Sequence, residues 1–143
     1  MKFRLIIDKS RDEEVIVYAH EKKKLIDEIE KLVCENNFEL TGFIDREAVK
    51  LNLAEVYCFI SENNKVFAVC EKEKFLIKYR LYQLEEKLPE NFVKINQSCI
   101  ADIKKIKKFD ASFTGMLKVI FKNGYTDYVS RRNVKKVKER LGL

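Results

Sequence analysis

Arg131, Arg132 and Asn133 stand side by side near the C-terminus and directly follow Ser130. Guanidinium groups bind phosphates and the edge of guanine through parallel N–H groups, and an amide pairs with the edge of adenine. A serine at this point is typical of a helix N-cap, and a helix N-terminus attracts anions. The run therefore indicates a corner that binds phosphates and base edges. A solvent-exposed basic helix is the alternative interpretation of the same residues.

The residues before this corner have the pattern of a tight hairpin. Asn123-Gly124 predicts a two-residue type I′ turn, because that turn needs positive φ at both central positions. With this turn, the pairs that share the apolar face of the ribbon are Phe121 with Thr126, Val119 with Tyr128, and Leu117 with Ser130. The ribbon would hold residues 131–133 at a fixed point.

The residues after the corner have the spacing of an amphipathic helix. Val134, Val137 and Leu141 recur at intervals of three and four, which predicts one apolar stripe. Four basic residues fall outside that stripe: Lys135, Lys136, Lys138 and Arg140. The helix would present a basic face to a partner.

Charge is distributed unevenly along the 143 residues, whose net charge is +6. Residues 1–90 carry 16 Lys and Arg against 19 Asp and Glu, a net charge of −3, whereas residues 91–143 carry 13 against 4, a net charge of +9. A basic C-terminal segment of this kind indicates a polyanionic partner. Insertion into an anionic membrane is less favoured, because the C-terminal helix has a narrow apolar stripe and neither Trp nor Phe.

The composition argues against several other classes of protein. There is one His, the four Cys show no C-x-x-C spacing, and neither a nucleophile–base pair nor a glycine-rich phosphate loop is present. No apolar run reaches the length of a membrane span, which is roughly 18 residues. The N-terminus meets acidic residues too early for a signal peptide. We expect an ordered cytoplasmic protein without enzymatic activity, cofactor or bound metal, whose cysteines are reduced.

The first 45 residues predict a small ββαβ unit. Residues 2–8 and 14–19 read as strands rich in apolar and β-branched side chains, and residues 10–13 as their connection. Residues 20–37 have a helical apolar face, and residues 38–44 alternate as a third strand. We expect this unit to be an appendage of residues 1–45 that packs on the rest of the chain or mediates pairing with another copy.

Residues 46–110 predict a run of strands broken by one helix. Residues 46–53 are ambiguous, and residues 54–61, 66–70 and 75–79 predict a three-stranded meander. Residues 81–88 predict a short helix that ends before Pro89. Residues 92–95 predict a strand, and residues 99–106 alternate like another, followed by a loop over residues 109–115. Lys104, Lys105, Lys107 and Lys108 either contact the partner or protect a strand edge.

The run from Leu81 to the C-terminus resembles the LytTR DNA-binding domain of bacterial transcription regulators. The segment LYQLEEKLPENF is similar to the family's short helix and its Pro-containing turn. The segment FVKINQSCIADIKKI is similar to the family pattern F-x-R-x-H-R-S-x-x-V-N-x-x-x-I, and the segment GMLKVIFKNGYTDYVSRRNVKKVKERLGL to its last hairpin and S-R ending. With the more generic meander included, the resemblance covers about residues 46–143.

The chain departs from the family pattern at four positions that bear on DNA recognition. Lys94 replaces an Arg, which keeps the charge but loses bidentate geometry. Asn96 and Gln97 replace a His-Arg pair, and amides of this kind can hydrogen-bond adenine. Asp102 stands where Asn is usual. These departures leave the fold expectation in place and change the DNA sequence that the protein would recognise.

The resemblance implies an α+β, mostly β fold, an elongated sandwich of small antiparallel sheets with a C-terminal helix, which reads double-stranded DNA through loops. Three loops would reach the duplex: residues 63–65, residues 96–97 and residues 131–133. The residues expected to contact DNA are Asn64, Lys65, Lys94, Asn96, Gln97, Ser98, Lys104, Lys105, Arg131, Arg132, Asn133, Lys135 and Lys136.

The resemblance also bears on domain organisation and partners. Most family members carry a phospho-receiver domain, which needs on the order of a hundred residues and does not fit in residues 1–45. The chain therefore resembles the receiver-less branch, which implies a homodimer on repeated promoter sites and, as a hypothesis, control by a membrane protein.

An RNA-binding or ribosome-associated function is the main alternative. Basic α+β chains of this size often bind RNA, and Tyr125, Tyr128 and Phe113 could stack on bases. Against this interpretation, the predicted hairpin makes Tyr128 a cross-strand core residue.

Overall fold

The computed structural model describes residues 1–111 and 116–142, and for residues 34–37 it describes the backbone alone. Three α-helices lie in this part of the chain: α1 (Lys24–Asn37), α2 (Leu81–Lys87) and α3 (Arg131–Leu141). The strands of the larger sheet are β1 (Leu40–Ile44), β2 (Glu47–Leu51), β3 (Cys58–Glu62), β4 (Lys65–Val69), β5 (Lys74–Ile77), β6 (Phe92–Asn96) and β7 (Cys99–Asp102). Those of the smaller sheet are β8 (Ile106–Asp110), β9 (Leu117–Phe121) and β10 (Thr126–Val129).

Every strand pair in the two sheets is antiparallel. The larger sheet has the order β2-β1-β5-β4-β3-β7-β6, and the smaller has the order β10-β9-β8. The predicted α+β, mostly β architecture is confirmed, and so are the meander, the α2 helix and the C-terminal helix.

The inner strand β3 is buried on both faces. Cys58 and Ile60 pack in one core with Phe121 of the small sheet, and Val137 of α3 lies in the same core. Phe59, between them in sequence, packs in a second core that includes Leu84 of α2. Because alternate residues of a strand point to opposite faces, this pattern shows that the larger sheet is covered on both sides. The scaffold under the loops is therefore well packed.

Two of the hairpins close through two-residue turns in which both residues have positive φ. Asp45 and Arg46 have φ of 48° and 69°, and Asn63 and Asn64 have φ of 52° and 63°. This is the backbone conformation of type I′ turns, whose twist matches that of the flanking strands. The β3–β4 turn therefore has a fixed shape and holds Lys65 at the start of β4.

The last hairpin forms, but its pairing is shifted by one residue from the predicted one. Its loop has three residues, 122–124, and ends in Gly124 with φ of 89°, as in a turn followed by a bulge. Tyr128 therefore lies opposite Lys118 and is 39% exposed, while Val129 is fully buried. Since a one-residue shift exchanges the two faces of a strand, the prediction that Tyr128 is a core residue is wrong.

The stretch after β7 also differs from the prediction. Residues 99–106 do not form one strand, because the chain bends at Asp102, which is 3% exposed. The Asp102 carboxylate accepts hydrogen bonds from the Lys104 N–H and the Asn91 side chain, both at 3.0 Å. The chain then enters β8, which extends to Asp110 although the loop is predicted to begin at residue 109. Residues 112–115 of that predicted loop, Phe113 among them, lie outside the described residues.

The predicted ββαβ grouping of the first 45 residues is wrong. Residues 1–23 contain neither helix nor strand, and their side chains are exposed; Phe3 is 92% exposed and Tyr18 is 90% exposed. Their apolar sequence favours strands, but a strand needs a paired neighbour and a covered face, and these residues have neither in the described chain. The predicted helix is present as α1.

The third predicted strand of that unit, β1, belongs to the larger sheet. It pairs with β2 and β5, and Gly42 lies opposite Ile77. A Cβ at Gly42 would be 2.6 Å from the Cβ of Phe75, so glycine allows this close approach of two strands. The sheet thus continues across residue 45, and the division of the chain into residues 1–45 and 46–143 stays a prediction. None of the described helices is long and apolar enough to cross a membrane.

Candidate nucleic-acid interface

Three connections between secondary-structure elements meet at one end of the larger sheet: the β3–β4 turn, the β6–β7 turn and the corner between β10 and α3. The Ser61 N–H donates to the Ser98 carbonyl at 2.8 Å, which joins the first two. The Ser130 N–H donates to the Ile95 carbonyl at 2.9 Å, which joins the second and third. Backbone hydrogen bonds therefore hold together three segments that are far apart in sequence.

The β6–β7 turn has its shape fixed by the side chain of Asn96. The amide nitrogen donates to Asp127 Oδ1 at 2.9 Å and to the Tyr128 carbonyl at 2.7 Å. The amide oxygen accepts from the Ser98 N–H at 2.7 Å. Because a bidentate adenine contact needs one amide donor and one amide acceptor, the Asn96 amide is already committed to the protein. Asn96 therefore holds the turn in the shape that exposes Gln97 and Ser98.

A half-buried tyrosine supports the same turn from the side of the smaller sheet. The Tyr125 hydroxyl donates to Asp127 Oδ2 at 3.3 Å, and Asp127 Oδ1 accepts from the Asn96 amide at 2.9 Å. Burial, with the neighbouring carboxylate, raises the pKa of the Tyr125 phenol well above its usual value. The phenol therefore stays neutral and can act as a donor to Asp127 across the physiological range.

The corner between β10 and α3 is fixed by Asn133. Its amide nitrogen donates to Ser130 Oγ at 2.8 Å and to the Ile95 carbonyl at 3.3 Å, and its backbone N–H donates to the Ser130 carbonyl at 2.9 Å. Ser130 is the N-cap residue as predicted, although its own side chain makes no cap hydrogen bond. Asn133 thus ties the first turn of α3 to β6.

The first two turns of α3 present basic side chains on the outside of this corner. Arg131 and Arg132 are exposed, and so are Lys135 and Lys136 in the next turn. Positions 132, 135 and 136 share one helix face, where like charges repel. Val137 points inward and is fully buried. The helix therefore anchors through its apolar stripe and collects positive charge on its outer face.

A groove of about 500 Å³ lies beside the turns. Four of the predicted DNA-binding residues line it, namely Asn64, Lys65, Lys94 and Gln97, together with Lys78, Arg80 and Tyr82. Within the described chain the recorded ion pairs join other residues. The groove is therefore lined by four basic side chains, Lys65, Lys78, Arg80 and Lys94, a composition that suits an anionic ligand.

Lys78 and Arg80 were missed by the sequence analysis. Val66 pairs with Ile77 across β4 and β5, so Lys78 lies just beyond that pair, beside Lys65. The register of the predicted meander, extended by one residue, could have indicated this proximity. The position of Arg80 at the start of α2 depends on packing that sequence spacing does not give.

Lys104 and Lys105 lie away from the turns. They line a separate cavity of about 580 Å³ with Lys122, and the Lys105 ammonium is 5.1 Å from the centre of the Tyr57 ring. The β7 strand separates them from Ser98, a distance of roughly 13 Å for four residues of strand. The structure therefore does not bring these two lysines together with the other predicted contacts, and the DNA-binding role of each residue stays a prediction.

In the part of the chain that the structure describes, the residue types that could bind a metal or act as nucleophiles show no such site. Among the described side chains, no group of three or more from His, Cys, Asp or Glu is arranged to bind a metal ion. Cys58 and Cys99 are buried thiols, and Cys70 is half-buried. Burial raises the pKa of the Cys70 thiol to about 11, which makes it a poor nucleophile.

Comparisons with known proteins agree with this geometry. The model of the LytTr DNA-binding domain family matches residues 46–142. Proteins described as uncharacterized HTH-type transcriptional regulators of Staphylococcus aureus are similar over all of this chain and 99% of their own length, with 32% identity in strain NCTC 8325 / PS 47 and 31% in the bovine strain RF122 / ET3-1.

A solved structure has the same fold. The LytTr DNA-binding domain of a methyl-accepting/DNA response regulator from Bacillus cereus superposes with a TM-score of 0.70 at 20% identity, over 73% of this chain and 97% of that one. In the described residues of this chain, five strands separate α2 from α3, so these two helices do not form a helix-turn-helix unit. With the family model matching more than half of its length, the chain belongs to the LytTR DNA-binding domain family.

Proposed function

We propose that this protein is a transcription regulator that binds specific double-stranded DNA sequences through the three hydrogen-bonded turns. The observation that carries the proposal is the joining of the β3–β4 turn, the β6–β7 turn and the β10–α3 corner at one end of a packed scaffold. Loops fixed in this way can enter the grooves of a duplex without losing much conformational entropy.

Affinity and specificity come from different residues in this proposal. Lys65, Lys94, Lys135 and Lys136 contact phosphates, which releases counterions and gives affinity that depends strongly on salt. Gln97 and Arg132 read base edges, since both are exposed and both can make bidentate contacts. Asn96 and Asn133 hold the two readers in place.

The protein acts in the cytoplasm, as a homodimer on repeated promoter sites. Two copies on adjacent repeats would double the number of base contacts and so supply the specificity that one small site lacks. Regulation by a membrane partner is proposed from the family resemblance alone.

Selection of bound duplexes from a random pool, repeated at two salt concentrations, tests this function. We expect one motif to be enriched at both concentrations, because base contacts survive conditions that weaken phosphate contacts. Enrichment that disappears at the higher concentration would mean that the protein binds DNA without reading its sequence.

RNA binding is the second candidate, and one observation favours it. Tyr128 is 39% exposed beside the β6–β7 turn and Tyr82 is 62% exposed in the groove, so both rings are available for stacking on unpaired bases. Competition between duplex DNA and single-stranded RNA in one titration separates the two functions. Displacement of the duplex by an equimolar amount of RNA would favour the RNA-binding function.

A further inference from the structure

The N-terminal arm, residues 1–19, exposes two groups of large apolar side chains, in residues 1–7 and 15–18, on either side of a polar run. Of the fourteen large hydrophobic residues found exposed in the described chain, eleven lie in residues 1–32: Met1, Phe3, Leu5, Ile6, Ile7, Val15, Ile16, Val17, Tyr18, Leu25 and Leu32. Single exposed apolar residues are normal, but so many within 32 residues of sequence indicate an interaction surface.

The arm has the sequence of two strands without the hydrogen bonds of a strand. Residues 3–7 and 15–18 are rich in the β-branched and aromatic residues that favour sheets. Within residues 1–22 of the described chain, the recorded backbone hydrogen bond is that from the Arg11 N–H to the Asp8 carbonyl at 3.4 Å. An isolated two-stranded ribbon is marginal in water, so these segments need further strands beside them.

We propose that the arm pairs with the same arm of a second copy of this chain, and that the two arms together form an intermolecular antiparallel sheet. The inference rests on the homodimer of the proposed function, and it names the surface that makes the dimer. The α1 helices, whose Leu25 and Leu32 are exposed, would then cover one face of that sheet.

Charge complementarity favours a second copy as the occupant. If residues 2–8 of the two copies pair antiparallel around Leu5, each Lys2 lies opposite Asp8 of the partner subunit. The same register places Phe3 opposite Ile7 of the partner subunit and Leu5 opposite its own copy, all on one face. A parallel arrangement would instead place like charges together, and a two-fold axis generates the antiparallel one.

The net charge of the arm disfavours an anionic membrane as its partner. Residues 1–19 carry four basic and four acidic side chains, so the arm is neutral as a whole. An anionic membrane would repel Asp8, Asp12, Glu13 and Glu14 as strongly as it attracts the four basic residues. Two neutral arms of this composition meet without electrostatic cost.

The apolar area is sufficient for a stable dimer. Eleven exposed side chains of this size offer on the order of 1,000 Å² of apolar surface per subunit. A standard stable interface buries about 800 Å² per partner. Ordering of the arm on association lowers the affinity per unit area, which the larger area offsets.

Sedimentation analysis of the full chain without DNA tests the pairing. We expect a mass of twice 17.0 kDa for the wild-type chain at micromolar concentration. Leu5→Asp should raise the dimer dissociation constant about a hundredfold or more, because symmetry introduces the buried carboxylate twice. Lys9→Gln, in the turn of the same arm, changes the charge by the same single unit and should leave the mass unchanged.

Exchanging the charges of Lys2 and Asp8 tests whether the arm pairs with its own copy. Lys2→Glu and Asp8→Lys should each weaken the dimer, and the double variant should restore it, since every pair is then opposite in charge again. A monomeric wild-type chain, equal effects of Leu5→Asp and Lys9→Gln, or binding of the arm to anionic vesicles would overturn the inference. Because the mass is measured without DNA, failure of the arm and failure of DNA binding are distinguishable.

Discussion

At the scale of single residues, neighbouring amides with the same chemistry have different positions. Asn96 makes three hydrogen bonds within the protein, whereas Gln97 next to it is exposed. Asn133 ties α3 to β6, whereas Arg132 beside it is exposed. The β6–β7 turn and the β10–α3 corner thus each combine one residue that fixes the backbone with one that is available to a ligand.

Arg132→Ala should weaken binding to the selected duplex by about 1–3 kcal/mol, the usual loss for a bidentate base contact. Its binding to unrelated duplexes should change much less. Lys104→Ala is the matched control, because Lys104 is a basic residue outside the cluster of turns, and its effect should be small and the same for all sequences. Gel-shift titrations of both variants on both duplexes measure the difference. Wild-type affinity of Arg132→Ala for the selected duplex would contradict the assignment.

Asn96→Ala and Gln97→Ala should separate positioning from contact. Asn96→Ala leaves the partners of three hydrogen bonds unsatisfied, so it should lower the free energy of unfolding by about 1–3 kcal/mol and weaken DNA binding as well. Gln97→Ala should weaken binding and leave the free energy of unfolding unchanged, since Gln97 is exposed. Chemical denaturation and gel shifts give the two quantities. If Gln97→Ala destabilised the fold as much as Asn96→Ala, Gln97 would have a structural role and not a DNA-binding one.

At the scale of secondary-structure elements, β1 is the strand whose position differs most from the predicted domain organisation. It lies between β2 and β5 in the larger sheet, although the sequence assigned it to an N-terminal unit. The β1–β5 contact is close because Gly42 has no side chain. The integrity of the sheet therefore depends on residues on both sides of position 45.

Gly42→Ala should destabilise the whole protein by about 1–3 kcal/mol, because the new Cβ would overlap Phe75 and Leu51. Thr41→Ala, at an exposed neighbouring position of the same strand, should change stability by less than about 0.5 kcal/mol. Thermal denaturation followed by circular dichroism compares the two variants. Equal melting temperatures for wild type and Gly42→Ala would show that β1 does not pack against β5.

The sequence predicts elements that depend on local signals and misses those that depend on distant partners. The α2 helix before Pro89 and the Asn63-Asn64 turn follow from periodicity and turn residues. Asn123-Gly124 is compatible with two loop lengths, so the hairpin was found with the wrong register. The bend at Asp102 could not be predicted locally, because its side chain accepts a hydrogen bond from Asn91, eleven residues earlier in the chain.

In the candidate site, too, the features set by local sequence could be predicted and those set by distant partners could not. Its three loops and most of its basic residues could be predicted from charge and from the resemblance to the family, whereas Lys78 and Arg80 were missed. The role of Asn96 could not, because its partner Asp127 is 31 residues away. The strands predicted in residues 1–19 had the right composition and lacked a partner within the described chain.

At the scale of the whole molecule, positive charge is collected where the turns meet. Residues 91–143 have a net charge of +9. Of their basic residues Lys94 lines the groove, where Lys65, Lys78 and Arg80 from the first part of the chain lie beside it. Lys104 and Lys105 add to the net charge without lying in the same place. Net charge alone therefore overestimates the number of DNA contacts.

The salt dependence of DNA binding should distinguish basic residues at the cluster of turns from basic residues outside it. Lys65→Gln should reduce the slope of log affinity against log salt concentration by roughly 1, because one phosphate contact is lost. Lys104→Gln removes the same charge from outside the cluster of turns and should leave the slope nearly unchanged. Fluorescence anisotropy titrations over a range of salt concentrations measure both slopes. Equal reductions would mean that the two ends of the sheet contribute alike.

The central claim is that three separate turns contact one duplex. Amide hydrogen exchange of the full chain, with and without a bound duplex, tests it most directly. The account predicts slower exchange in residues 61–65, 96–98 and 130–136 together, and unchanged exchange in residues 103–105. Protection confined to residues 103–108, or to α3 without the two turns, would contradict it.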